Sequence, residues 1–206
     1  MSELIALYGT VLVVSVSGAI SPGPMFAVTL TKSYKSPLAG FWISLGHAVV
    51  EVPVILLIYF GFARFFENPI VQTVLSLAGG AMIIFMAAGM FRSRREVVIE
   101  RRDVPYNAFA AGILMSIMNP FFLLWWATVG SMLIMRVMPF GAIALAGFII
   151  AHWMCDLLWL SAVSGLVYKT RSWLGEKIQL RVFVLNSLFL AGFGCWFIYS
   201  GIVAML

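Results

Sequence analysis

The chain has two histidines, and each stands four residues before an acid: His47 with Glu51 and His152 with Asp156. Residues at i and i+4 of a helix share a face, so each pair can present an imidazole and a carboxyl to the same side. That donor set suits two kinds of chemistry. Carboxyl and imidazole can take up and release protons during a transport cycle. The same atoms can hold a divalent cation, because imidazole with carboxylate suits zinc, manganese, iron or nickel. Both pairs lie midway along apolar stretches, where ionisable groups mark function by default. A carboxylate at the centre of a spanning helix costs about 2.5 to 3.5 kcal/mol to insert, whereas a buried interhelical polar contact returns only about 0.6 kcal/mol. A purely structural role, each histidine gluing helices through its own acid, therefore does not account for two such acids.

The elements that carry these pairs follow from composition. Of 206 residues, 63% are hydrophobic and 10% charged, and the mean hydropathy is +1.04, more apolar side chain than a soluble core of this length can use. Apolar stretches run over 4–31, 37–62, 69–91, 106–135, 139–167 and 182–206, each at least the roughly 20 residues a helix needs to cross a bilayer. The expected fold is an all-α membrane protein of six transmembrane helices, multi-pass in the lipid bilayer, with no soluble domain left over. The opening Met-Ser-Glu-Leu lacks a basic region and the first apolar run is too long for a cleaved signal, so the first helix is expected to be retained.

The net charge of +5 does not point to nucleic acid, because the basic residues are spread over short connections. Lys32 and Lys35, the five arginines from Arg92 to Arg102, and Lys169, Arg171, Lys177 and Arg181 follow the first, third and fifth stretches; only Arg64 and Arg136 follow the second and fourth. This positive-inside bias predicts that both termini lie outside the cytoplasm and that 92–105 is a cytoplasmic loop.

That loop divides the chain into three helices before it (1–91) and three after it (106–206), and an odd number per half means oppositely inserted halves. Three parallels support two inverted three-helix repeats. The first helix of each half is broken at proline, by Ser21-Pro22-Gly23-Pro24 and by Asn119-Pro120; the second carries the His/acid pair; the third carries glycines nine apart, Gly80 with Gly89 and Gly192 with Gly201, after Leu-Ala-Gly strings at Leu77 and Leu190. The midpoints of the second and fifth stretches fall near Val49 or Val50 and near Trp153, so both pairs straddle the membrane centre and can meet there. Proline removes a backbone hydrogen bond and clashes with the preceding turn, and the freed groups are tolerated at membrane depth only against protein or a watery cavity. The half-helix starting near Pro24 aims its N-terminal amides at the break, suiting a carboxylate, and Asn119 can cap the half-helix that Pro120 opens.

At this point the residues resemble a family. The string Gly18-Ala-Ile-Ser-Pro-Gly-Pro24, the glycine-containing second helix with a central acid, and Met118-Asn-Pro-Phe-Phe-Leu-Leu-Trp-Trp126 are similar to the lysine exporter (LysE/RhtB) family over essentially the whole chain. The resemblance implies a small prokaryotic inner-membrane protein that exports amino acids using the proton gradient, with cation exporters in the wider superfamily. One departure bears on the substrate: the resemblance leads us to expect an aspartate in the second helix, where this chain has Glu51 preceded by His47.

The expected function is therefore a proton-coupled secondary transporter exporting an amino acid or similar small zwitterion. Glu51, Asp156, His47 and His152 couple protons and bind substrate beside the breaks at Ser21, Pro22, Gly23, Pro24, Asn119 and Pro120. The substrate's carboxylate suits the half-helix N-terminus and its ammonium suits Glu51 or Asp156. The alternative is a divalent metal cation exporter with His47, Glu51, His152 and Asp156 as the metal's ligands. No enzymatic step and no cofactor is expected. A thiol relay is not expected, because Cys155 and Cys195 lie outside the broken helices and form no Cys-x-x-Cys; both are expected to be buried packing residues. Gly79, Gly80, Gly89, Gly192, Gly194 and Gly201 are expected to permit close helix packing, and small-residue faces of this kind also permit a homodimer. Trp125 and Trp126 suit either a cavity wall or lipid, and Lys32 and Lys35 suit the cytoplasmic interface.

Overall fold

In a computed structural model of the chain, residues 2–20, 23–62, 68–98, 107–173 and 175–203 are described. All regular structure among them is helical. The helices are α1 (Ser2–Ile20), α2 (Pro24–Ser33), α3 (Ala39–Leu57), α4 (Pro69–Val98), α5 (Ala108–Ile117), α6 (Pro120–Trp125), α7 (Ser131–Val137), α8 (Gly141–Thr170) and α9 (Glu176–Val203). A wide turn follows α3 over Ile58–Phe62, leaving helical geometry at Gly61 with φ 110°, and a π turn joins α6 to α7 over Trp126–Gly130. Five helical stretches among the described residues are long and apolar enough to cross a membrane. Their outer faces present apolar side chains such as Val13, Phe60, Ile143 and Leu158, as a lipid-facing surface does.

Two apolar stretches are not single helices. The first breaks between α1 and α2, where Gly23 is extended and Pro24 opens α2 at the position where a missing amide does no harm. Ser21 and Pro22 lie outside the described residues. The fourth breaks between α5 and α6 at Met118-Asn119, with Pro120 again the first helical residue. Elsewhere the helices outrun their apolar stretches. α4 continues through Arg92, Arg94 and Arg95 to Val98, so the charged connection expected as loop begins as helix, and 99–106 fall outside the described residues. Lys32, expected at an interface, is buried in the last turn of α2, while Lys35 is exposed.

Packing follows from where side chains are absent. A methyl on Gly46 of α3 would overlap the carbonyl of Phe109 on α5, and one on Gly112 of α5 would overlap the carbonyl of Ile43 on α3, so these helices touch backbone to backbone. α4 and α9 run antiparallel in the same manner: a methyl on Gly80 would lie 2.7 Å from the Gly194 carbonyl oxygen, and one on Gly194 2.8 Å from that of Gly80. Gly201 meets Leu77 and Ser76 on the same seam, whereas a methyl on Gly89 or Gly192 would meet nothing within 4 Å, so neither position needs glycine for a close helix crossing. Cys155 is buried as expected, but Cys195 is exposed, because it follows Gly194 by one residue and so points off the α4 seam.

Candidate functional site

α3 and α8 pack together and bring the two His/acid pairs to one place. Trp153 Nε1 donates to the Ser44 carbonyl at 3.0 Å, fixing α8 against α3 one turn before His47. His47 Nε2 lies 3.0 Å and His152 Nε2 3.1 Å from the same oxygen, Glu51 Oε1. Asp156 Oδ2 stands further off, 4.0 Å from His47 Nε2 and 3.9 Å from His152 Nε2, beyond hydrogen-bond range. Glu51 is 1% exposed, and its Oε2 is buried without a hydrogen-bond partner.

Each imidazole is held from behind by a serine on a helix of the opposite half. His47 Nδ1 meets Ser116 Oγ of α5 at 2.7 Å, and His152 Nδ1 meets Ser15 Oγ of α1 at 2.7 Å. The helix contacts set both distances. Ser116 lies one turn beyond Gly112, in the close crossing beside Gly46, and Ser15 lies two turns beyond Tyr8, whose hydroxyl donates to the Ala144 carbonyl of α8 at 2.8 Å. The serines differ in what they can give. Ser116 donates its one proton to the Gly112 carbonyl at 2.6 Å, so it accepts from His47 Nδ1–H. Ser15 is buried and shares one hydrogen bond with His152 Nδ1, whose direction follows the tautomer of the ring; with Ser15 as the donor, the ring proton of His152 lies on Nε2, facing Glu51. One further proton then lies between His47 Nε2 and Glu51 Oε1.

The cluster forms part of the wall of a cavity of about 100 Å³, with Ser15, Gly23, Pro24, Met25, Asn119 and Trp126 among its other lining residues. The first turn of α2 opens there, and its leading amides have no acceptor within the helix. Asn119, at the second break, is buried in the same wall. Gly23, Pro24, Asn119 and all four His/acid residues are thus brought together. Pro120 starts α6 directly after Asn119. Trp125 and Trp126, which suited cavity or lipid equally, both line the cavity, and Trp126 is fully buried. Their rings lie 5.2 and 5.0 Å from that of His152, which also stacks on Phe148 at 6.0 Å; His47 has Phe122 edge-on at 5.2 Å.

Sequence reasoning missed Ser15 and Ser116. A small polar residue in an apolar helix is the only available signal, and it is a poor one: Ser17, two residues from Ser15, looks the same and spends its proton on the Val14 carbonyl of its own helix. Chemically, the arrangement offers buried carboxylate oxygen for a cation, helix amides for an anion, and imidazoles able to pass protons.

Comparison with known proteins agrees in kind. No solved structure matches the chain significantly. A Bacillus subtilis (strain 168) protein named "Putative amino acid efflux protein YcgF" is 27% identical over 201 residues, covering 95% of this chain and 96% of that protein. The family model of the LysE type translocator matches residues 16–201, nearly the whole length over which broken helices, paired acids and apolar spans have been described, and this multi-pass membrane chain belongs to that family.

Proposed function

We propose that this chain exports an amino acid or similar small zwitterion by proton-coupled secondary transport, at a site near the membrane midplane between two halves. The observation that carries the reading is the shared cavity: Glu51 Oε2, buried and without a partner, and the first turn of α2 both border it. A group of opposite charge for each end of a zwitterion is the chemistry required, with the substrate's ammonium on Glu51 or Asp156 and its carboxylate on the amides of α2. His47, His152, Glu51 and Asp156 carry the coupled protons. Ser21, Pro22, Gly23, Pro24, Asn119 and Pro120 form the broken-helix part of the site.

The architecture we infer is six crossings in two inverted halves, 1–91 and 106–206, joined by a cytoplasmic connection over 92–105, with both termini outside the cytoplasm of a prokaryotic inner membrane. Several features support it. The 45-residue apolar run Trp126–Thr170 would be about 68 Å long as one helix, over twice the hydrocarbon thickness, and a turn at Met138–Phe140 followed by Gly141 at φ 79° divides it. Ser15 of the first half bonds His152 of the second, while Ser116 of the second bonds His47 of the first. The antiparallel seam of α4 and α9 is reciprocal at Gly80 and Gly194.

The test is counterflow by the purified chain in liposomes, with amino acids screened in the presence and absence of a pH gradient. Exchange of at least one amino acid, with net efflux driven by the gradient, is expected; exchange indifferent to the gradient would remove proton coupling.

A second reading has one specific observation in its favour. Donor atoms of His47, Glu51 and Asp156 lie within 4.8 Å of one another, His152 Nε2 is beside them, and His47 donates its other ring N–H to Ser116, as a metal-bound imidazole usually donates its far N–H. A divalent cation would then be the substrate. Titration with zinc, manganese and nickel decides: binding tighter than millimolar that is lost in His47→Gln and His152→Gln favours the cation, and its absence leaves the zwitterion.

A further inference from the structure

The polar lining of the cavity is the His/acid cluster with Ser15 and Asn119. Glu51 and Asp156 are the acids in its wall, no Lys or Arg lines it among the described residues, and beyond Phe122 and Trp125, which pack on His47 and His152, it is bounded by Phe26, Ile83, Phe189 and Leu190. The carboxyls are also too close together to serve separate cations, since the donor atoms of Glu51, Asp156 and His47 lie within 4.8 Å of one another. One ammonium therefore engages both acids. A second ammonium at the end of an extended side chain would be carried among the aromatic and aliphatic groups, and a side-chain carboxylate would find no basic residue there. Either charge would be desolvated without a partner, which is prohibitive beside the small gain of burying its methylenes.

We infer that the substrate is an amino acid whose side chain is uncharged and apolar, of the size and shape of leucine, methionine or phenylalanine, lying against the wall made by α2, α4, α6 and α9. This rests on the proposal that the cavity binds a zwitterion. It adds which zwitterion, and it sets this chain apart from an exporter of lysine.

Counterflow of labelled leucine into liposomes loaded with unlabelled leucine tests it, with external norleucine, phenylalanine, alanine, lysine and glutamate as competitors. Norleucine and lysine share a carbon chain and differ in the terminal ammonium. Norleucine and phenylalanine are expected to compete, alanine to be about tenfold or more weaker for want of methylenes, and lysine and glutamate to be weaker by at least about a hundredfold. Lysine exchanging as well as norleucine would overturn the inference while leaving amino-acid export intact. No exchange by any amino acid, with divalent cations exchanging instead, would overturn both. A variant gives the second measurement: Phe189 lines the cavity, so Phe189→Asp adds a carboxylate to the apolar wall, with membrane insertion and residual leucine counterflow confirmed first. The lysine-to-norleucine ratio is expected to rise about tenfold or more, and an unchanged ratio would overturn the inference by removing the side chain from that wall.

Discussion

His47/Glu51 and His152/Asp156 have the same spacing, lie on packed helices and border one cavity, yet they hold their carboxyls differently. Glu51 Oε1 is gripped by both imidazoles at 3.0 and 3.1 Å, whereas Asp156 reaches neither, at 3.9 and 4.0 Å, and is 15% exposed against 1% for Glu51. The difference is one methylene. From α3 the longer side chain spans to the opposite helix; from α8 the shorter one stops short. The spacing thus puts two acids in one place, and side-chain length separates them: Glu51 ties α3 to α8 and leaves Oε2 unpartnered, while Asp156 makes no hydrogen bond to either imidazole.

The largest effects that sharpen this division come from neutralising each acid. Glu51→Gln and Asp156→Asn are both expected to abolish counterflow with the protein still inserted. Their stabilities should part company. Glu51→Gln leaves two imidazoles facing a neutral amide and is expected to lower stability in detergent by about 1 to 3 kcal/mol, whereas Asp156→Asn breaks no hydrogen bond to the imidazoles and should change it by less than about 0.5 kcal/mol. Equal melting losses would erase the distinction, and retained proton-driven flux in both would remove the acids from transport.

Side-chain length tests the same point more finely. Glu51→Asp keeps the charge and loses the reach, so the bond to His152 across the helix pair should break, and counterflow should fall about tenfold or more. Asp156→Glu adds the reach on the other side and is expected to bring a second carboxylate onto the imidazoles, slowing exchange by holding the site closed. If Glu51→Asp exchanges like the parent, length is not what separates the pairs.

Much of this was legible from residue types. Ionisable groups in apolar stretches are expensive enough to announce themselves, and prolines inside such stretches announce breaks, so His47, Glu51, His152, Asp156, Pro24 and Asn119 could be picked out before any contact was known. The inequality of the two pairs could not, because it depends on a difference of about 1 Å set by where α3 and α8 touch. The serines could not be chosen from others that bond their own helices. Glycine packing was legible only in part for a related reason: a repeat of nine residues along α4 and α9 says nothing about which glycines face each other, and of those expected to permit close packing the seam uses Gly80, Gly194 and Gly201 but not Gly89 and Gly192.

The contact of α3 with α5 should matter to one pair alone. Gly46→Ala puts a methyl into the Phe109 carbonyl next to His47, and backbone cannot give way as a flexible side chain can. A loss of about 1 to 3 kcal/mol is expected, together with impaired counterflow as His47 and Glu51 shift. Gly165→Ala on α8, where nothing lies within 4 Å, is the matched control and should be neutral or slightly stabilising. A comparable loss at both glycines would show that helix substitution in general, rather than this crossing, is being measured.

The smallest effects separate the two imidazoles themselves. Ser116 spends its proton on Gly112 and so requires His47 to carry a proton on Nδ1; Ser15, as the donor to His152 Nδ1, requires the proton of that ring on Nε2. Nitrogen chemical shifts of labelled protein should therefore show two unlike rings. Ser116→Ala removes the acceptor of the His47 Nδ1 proton, so that proton is released to solvent and the ring keeps the proton it shares with Glu51 on Nε2, after which both rings donate to Glu51 and their nitrogen signals become alike. Ser15→Ala leaves His152 as it was, because its Nε2–H still has Glu51 as acceptor. Each change should cost only about 1 kcal/mol, so the fold survives to be measured. Two like rings in the parent protein, or convergence in Ser15→Ala instead of Ser116→Ala, would reverse the assignment and with it the idea that the single mobile proton of the cluster lies on the His47 side.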